Sequence, residues 1–133
     1  MGQVNDMSNS FLVDTDVLID FLRGHNKAIG FFDQFSPLIL LPFIAVAELY
    51  AGVKGAGELA VLDNFISLFR VVPITSEIAK AGGLYKRDFA KSHGVGLADA
   101  IIAATAHMEK AELITLNVKH YPMIKGLQPA YKK

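Results

Sequence analysis

Three acidic residues of this chain stand in apolar company, where a carboxylate needs a reason to be. Asp14 closes the run FLVD, Glu48 lies inside IAVAELYAG, and Asp99 lies inside GLADAIIAATA. Taking an isolated carboxylate out of water costs several kcal/mol unless it is paired, hydrogen-bonded or bound to metal. Few basic residues lie near any of the three along the chain. Oxygen-rich acidic clusters suit Mg²⁺ or Mn²⁺, which take carboxylates and keep several waters. Each acid also has a simpler reading. Asp14 or Asp16 caps the first helix, Asp99 sits in a helical first turn where the dipole favours it, and Glu48 lies on a polar helix edge. The joint pattern is more specific than any member: one acid at a strand end and one in each of two apolar helices.

The elements that must position these acids alternate. Phe11-Leu12-Val13 reads as a short strand, followed by a helix carrying Val17, Leu18, Phe21 and Leu22 and stopped by Gly24. Ala28 to Phe35 is a second helix, broken by Ser36-Pro37. Leu38 to Leu41 reads as a strand buried on both faces. Helices follow at Ile44 to Val53 and, after Gly55 to Gly57, over Leu59, Leu62, Phe65, Ile66 and Phe69. Arg70 to Pro73 is a strand, and Thr75-Ser76 caps a helix running to about His93, with Gly82-Gly83 a weak point and Gly94 a C-cap. Leu97 to Met108 is strongly helical, and Ala111 to Ile114 is a last strand that ends at Thr115. This alternation predicts an α/β fold with a mostly parallel central sheet of four to five short strands flanked by helices. One domain over 10–133 follows a flexible tail over 1–9. Ligands of such sheets bind outside the carboxyl ends of the strands, where Asp14 and Thr115 fall.

Composition narrows the chemistry. The 133 residues are 52% hydrophobic and 20% charged, which excludes intrinsic disorder. The absence of cysteine excludes disulfides, thiolate catalysis and zinc–thiolate sites. Lys plus Arg and Asp plus Glu both number 13, so no basic excess marks a protein that coats nucleic acid. A local basic grip remains open. The N-terminus lacks the basic and apolar regions of a secretory signal. The longest apolar run, Pro37 to Ala47, contains Pro42 and is shorter than the roughly 20 residues that span a bilayer. A cytoplasmic protein without membrane contact is expected.

Four ordered stretches carry a family resemblance: LVDTDVLIDFLRG (12–24), AVAELYAG (45–52), GVGLADAIIAATA (94–106) and LITLNVKHYPMIKGL (113–127). Together they resemble the PIN-domain family, and within it the VapC-type toxins of toxin–antitoxin pairs, over nearly the whole chain. The resemblance implies a metal-dependent endoribonuclease. Asp14 would be the first metal ligand, Asp99 the second, and Glu48 the helical glutamate that joins them at the metal. Asn117 stands where relatives often place a fourth acid. Thr115 would add a hydrogen bond, and Thr15 and Asp16 would be secondary, with Asp16 either holding a water or capping the helix. The implied cofactor is Mg²⁺ or Mn²⁺. The implied partners are RNA, a small cognate antitoxin and a second copy of the chain.

Other residues have weaker claims. Lys80, Arg87 and Lys91 share one helical face and reach RNA phosphates or simply meet solvent. The four histidines show no metal-ligand spacing; His107 reads as packing and His120 as a loop residue. Tyr50, Tyr85 and Tyr121 read as core or interface, and Phe31, Phe32 and Phe35 as core or partner-facing. Asp20, Asp33, Asp63 and Asp88 read as surface acids. Two rival readings stand beside the nuclease. Asp14-Thr15-Asp16-Val17 is similar to the start of haloacid-dehalogenase-type phosphatases, with Asp14 as nucleophile and Asp16 as acid and base, although no Gly-Asp pair occurs. The other is a non-catalytic interaction module, with Asn117 as the mark of lost activity.

Overall fold

A computed structural model describes residues 10–133; the tail expected over 1–9 lies outside the described residues. The chain runs β1 (Phe11–Val13), α1 (Thr15–Leu22), α2 (Asn26–Phe35), β2 (Ile39–Pro42), α3 (Phe43–Ala51), α4 (Ala56–Ser67), β3 (Arg70–Val72), α5 (Ser76–His93), α6 (Leu97–Glu109) and β4 (Glu112–Ile114). Short 3₁₀ turns span Ser36–Leu38 and Val118–His120. The four strands form one parallel sheet in the order β3-β2-β1-β4.

That order has a consequence. From β1 the chain moves outward through β2 to β3, then returns to place β4 on the opposite side of β1. Right-handed crossovers running in opposite directions put their helices on opposite faces of the sheet. Successive strand residues likewise face opposite sides. Val13, Ile39, Leu41 and Ile114 pack with residues of α1 to α4, including Val17, Leu18, Phe32 and Leu62. Leu12, Leu40, Val72 and Leu113 pack instead with Ile78 of α5 and Ile102 to Ala104 of α6. The reversal between β1 and β4 opens a crevice at their carboxyl ends. Asp14 and Thr115 immediately follow those two ends, and the Asp14 amide donates to the Ile114 carbonyl at 2.8 Å.

Several sequence expectations change. Leu38 is exposed in a 3₁₀ turn, and the second strand is shifted to include Pro42. Leu59 of the supposed apolar stripe is exposed, whereas Leu62 and Phe65 are buried. Gly82 is no weak point. A Cβ there would stand 2.9 Å from Ile101 Cγ1 and 3.1 Å from its Cα, so glycine lets α5 lie close against α6. Gly94 does close α5, in the left-handed conformation with φ of 64°. Phe32 is buried in a stack with Phe21, while Phe31 and Phe35 pack around Phe11. His107 packs at the surface and not in the core: it is exposed, its ring edge-on to Tyr85 at 5.7 Å and its Nδ1 hydrogen-bonded to the Tyr85 hydroxyl. Asp20 is not a surface acid. It is 6% exposed and accepts from Tyr131 Oη at 2.7 Å and Lys133 Nζ at 3.0 Å. No helix among the described residues is long and apolar enough to cross a membrane.

Candidate active site

Asp14 is the N-cap of α1 and is 5% exposed. Its Oδ1 accepts the Thr15 amide at 2.7 Å. Its Oδ2 accepts both the Thr115 hydroxyl at 2.8 Å and the Tyr121 hydroxyl at 2.7 Å. Capping and a site role are therefore not alternatives here, because the crevice brings donors from more than 100 residues away onto the capping carboxylate.

Asp16 turns toward the segment after β4. Its Oδ1 accepts the Val17 amide at 2.7 Å, and its Oδ2 accepts the Leu116 amide at 3.0 Å and Asn117 Nδ2 at 3.1 Å. Burial, then the neighbouring Asp14 charge, pushes Asp16 up to about 6, against the opposing pull of those amides. Asn117 therefore engages Asp16 through its carboxamide. It also closes a small turn, its own amide donating to Thr115 Oγ1 at 3.1 Å. Both Asp16 oxygens accept amides, which ties this carboxyl to the first turn of α1 and to the segment after β4.

Asp99 lies in the first turn of α6 and is half-buried. His120 Nδ1 stands 3.2 Å from its Oδ2, and the Tyr121 hydroxyl 3.3 Å from its Oδ1. Burial raises the Asp99 pKa first and the Asp14 charge second; His120 and Tyr121 lower it, and Glu48 adds to the rise. Tyr121 is 1% exposed, and burial followed by Asp14 pushes its ionisation far above the ordinary range, so it remains a donor. Glu48 differs from the expectation of apolar surroundings: it is exposed on α3, with Oε1 accepting the Thr15 hydroxyl at 2.6 Å. It also lines a cleft of about 520 Å³ with Leu22, Leu49, Val61 and Leu62.

The structure thus gathers Asp14, Thr15, Asp16, Glu48, Asp99, Thr115 and Asn117 around one crevice. It adds His120 and Tyr121, which sequence reasoning left as loop and core. The available signal was that a tyrosine inside a core needs a partner for its hydroxyl. Lys80, Arg87 and Lys91 are exposed along α5, and Arg87 is tied to Asp88 at 2.8 Å. None of the three bonds to an acid of the crevice among the described residues. Nor do three His, Asp or Glu side chains there stand as a ready-made metal cage. A pair of carboxylates with water completing the shell is the donor set that Mg²⁺ or Mn²⁺ accepts. Asp14 raises the pKa of both Asp16 and Asp99, Glu48 adds to the rise at Asp99 and His120 opposes it, a repulsion that a divalent cation would relieve.

Comparison with known proteins agrees with this geometry. The model of the PIN domain matches residues 11–122. Ribonuclease VapC19 of Mycobacterium tuberculosis is 38% identical over 128 residues, covering 90% of this chain and 98% of that protein. Ribonuclease VapC10 of the same organism is 39% identical over 124 residues, covering 90% and 92%. A solved toxin–antitoxin complex from Klebsiella pneumoniae superposes with a TM-score of 0.81 at 29% identity, covering 93% of this chain and 100% of that one. A DNA-bound VapBC from Salmonella typhimurium, 23% identical, shares the fold with a TM-score of 0.78, covering 91% and 96%.

Proposed function

The chain belongs to the PIN-domain family, and we propose that it is an endoribonuclease, the toxin of a toxin–antitoxin pair, hydrolysing RNA phosphodiester bonds with Mg²⁺ or Mn²⁺. The observation that carries the reading is the meeting of Asp14 and Asp99 at one tyrosine hydroxyl, at the carboxyl ends of β1 and β4. Asp14 and Asp99 would hold the ion. When bound, it supplies Lewis-acid polarisation of the phosphate and lowers the pKa of water. Glu48 Oε1 is held by Thr15, which leaves Oε2 to accept a proton from the attacking water. Thr115 keeps Asp14 from turning away, and Asp16 with Asn117 fixes the segment that carries Thr115. The exposed bases Lys80, Arg87 and Lys91 offer phosphate contacts for RNA away from the acids.

The partner reading rests on the cleft beside Glu48, whose apolar wall of Leu22, Val61 and Leu62 is edged by Arg23, Lys54 and Glu58 and adjoins the acidic crevice through Glu48. An antitoxin segment with an apolar face and a basic side chain complements both. A homodimer in the cytoplasm is the corresponding assembly and location.

The test is cleavage of RNA by purified variants. Asp14→Asn and Asp99→Asn are expected to lose at least a hundredfold in rate with unchanged circular dichroism. Full activity in either variant sinks the site assignment. An inert wild-type protein that binds the antitoxin but neither Mn²⁺ nor RNA identifies a non-catalytic module instead.

A further inference from the structure

The reaction as proposed gives Tyr121 no task, yet it touches both metal-holding acids. Its ring belongs to the core with Leu12, Leu113 and Ile102, a place phenylalanine would fill equally well. Its hydroxyl reaches past that core to Asp14 Oδ2 at 2.7 Å and Asp99 Oδ1 at 3.3 Å. One proton serves one acceptor at a time, so the shorter contact is the donated bond, and Asp99 Oδ1 is the acceptor that the same proton reaches when the O–H turns. Lone pairs then decide which Asp14 atom is free. Oδ2 accepts from Tyr121 and Thr115, which uses its capacity, while Oδ1 accepts the Thr15 amide alone and keeps one lone pair.

We propose that Tyr121 is a positioning residue: its hydroxyl, donated to Asp14 Oδ2 beside Asp99, fixes the Asp14 carboxylate and leaves Asp14 Oδ1 as the oxygen offered to a divalent cation. This rests on the assignment of Asp14 and Asp99 as the metal-holding pair. A carboxylate beside a like charge turns away unless something fixes it, and one fixed in advance binds a cation without the cost of being ordered. Hydrogen-bond partners of metal ligands typically govern 10- to 100-fold of metal affinity.

Mn²⁺ binding to the purified full chain, followed by electron paramagnetic resonance of the free ion, reads this directly. Tyr121→Phe keeps the ring and is expected to bind Mn²⁺ about tenfold more weakly than wild type, while Asp14→Asn and Asp99→Asn bind it more weakly still. Unchanged or tighter binding in Tyr121→Phe, with loss in both aspartate variants, overturns the role of Tyr121 and leaves the site standing. Retained binding in the aspartate variants overturns the site and this inference with it. A second measurement needs no altered residue at 121. With ¹³Cζ-labelled tyrosine, the Tyr121 resonance is assigned by elimination using Tyr50→Phe, Tyr85→Phe and Tyr131→Phe. It is expected to move on saturation with Mg²⁺ and to stay still in Asp14→Asn. A resonance unmoved by Mg²⁺ in the wild type overturns the proposal.

Discussion

Asp16 accepts from the Val17 and Leu116 amides and from Asn117, and its charge is still disfavoured. Burial is the main reason and Asp14 the next, and together they place its titration at about 6. Asp99 is raised by the same two causes in the same order. A carboxyl whose folded pKa lies above its unfolded value of about 3.9 binds its proton more tightly when folded. Its contribution to stability is complete below that unfolded value and is lost as pH rises through the folded one. The metal-free protein is therefore expected to lose on the order of 1 kcal/mol between pH 5 and 7.5, after allowance for solvent screening at these partly open groups. Urea midpoints across that range check the sign, and saturating Mg²⁺ is expected to flatten the slope. At this scale the sequence is legible where chemistry clashes with surroundings. Asp14 and Asp99 stand out because apolar neighbours make a charge conspicuous. His120 and Tyr121 do not, since their reach to the acids is created by the turn at Val118–His120 and by the packing of the Tyr121 ring. Glu48 stands out for a reason that is only half right: its sequence neighbours are apolar, but its own helix face is open.

The helices on the β4 side meet at Gly82, and there local propensity and packing disagree. Glycine inside an exposed helix costs roughly 1 kcal/mol relative to alanine. Gly83 is exposed with open space around its missing Cβ, whereas Gly82 is buried against Ile101. Gly83→Ala is expected to stabilise the protein by about 0.5–1 kcal/mol. Gly82→Ala is expected to destabilise it by about 1–3 kcal/mol, because a backbone atom of α6 stands in the way and cannot rotate aside. Paired urea denaturation of the two variants checks both signs in one host. The same pair shows how far elements can be read from sequence. The alternation of short apolar runs with 3.6-period stretches is local, and so the sheet and its helices were foreseeable. Whether a glycine interrupts a helix or admits a neighbour depends on a chain segment about 20 residues away, and no local pattern encodes it.

The molecule as a whole is tied together by a second buried carboxylate. Asp20 looks like an ordinary helix acid because its partners, Tyr131 and Lys133, come from the far end of the sequence. That end is fixed further by Tyr131 stacking on His25, by Lys27 Nζ on the Lys132 carbonyl, and by the Ala130 amide on the Thr115 carbonyl. The last bond joins the closing segment to the residue that holds Asp14. Burial acts to raise the Asp20 pKa, but the hydrogen bonds of Tyr131 and Lys133 and the Lys133 charge outweigh it and hold the carboxyl below its ordinary range. Its linkage therefore has the opposite sign to that of Asp16. A depressed carboxyl contributes stability above its unfolded pKa and loses it as pH falls through the folded one. Asp20→Asn is expected to cost about 1.5–3 kcal/mol near neutral pH, the range for hydrogen bonds to a charged group, and less below pH 4. The two signs together bound the metal-free protein from both sides: Asp16 weakens it as pH rises from about 4 to about 6, Asp99 adds to that fall, and protonation of Asp20 weakens it below about pH 4. A stability maximum near pH 4, about the unfolded carboxyl value, follows for the wild type. In Asp20→Asn the acid-side fall is expected to shrink while the alkaline-side fall is unchanged. Urea midpoints of both proteins from pH 3 to 8 test this, and an equal acid-side fall in the two would show that Asp20 does not set that limit.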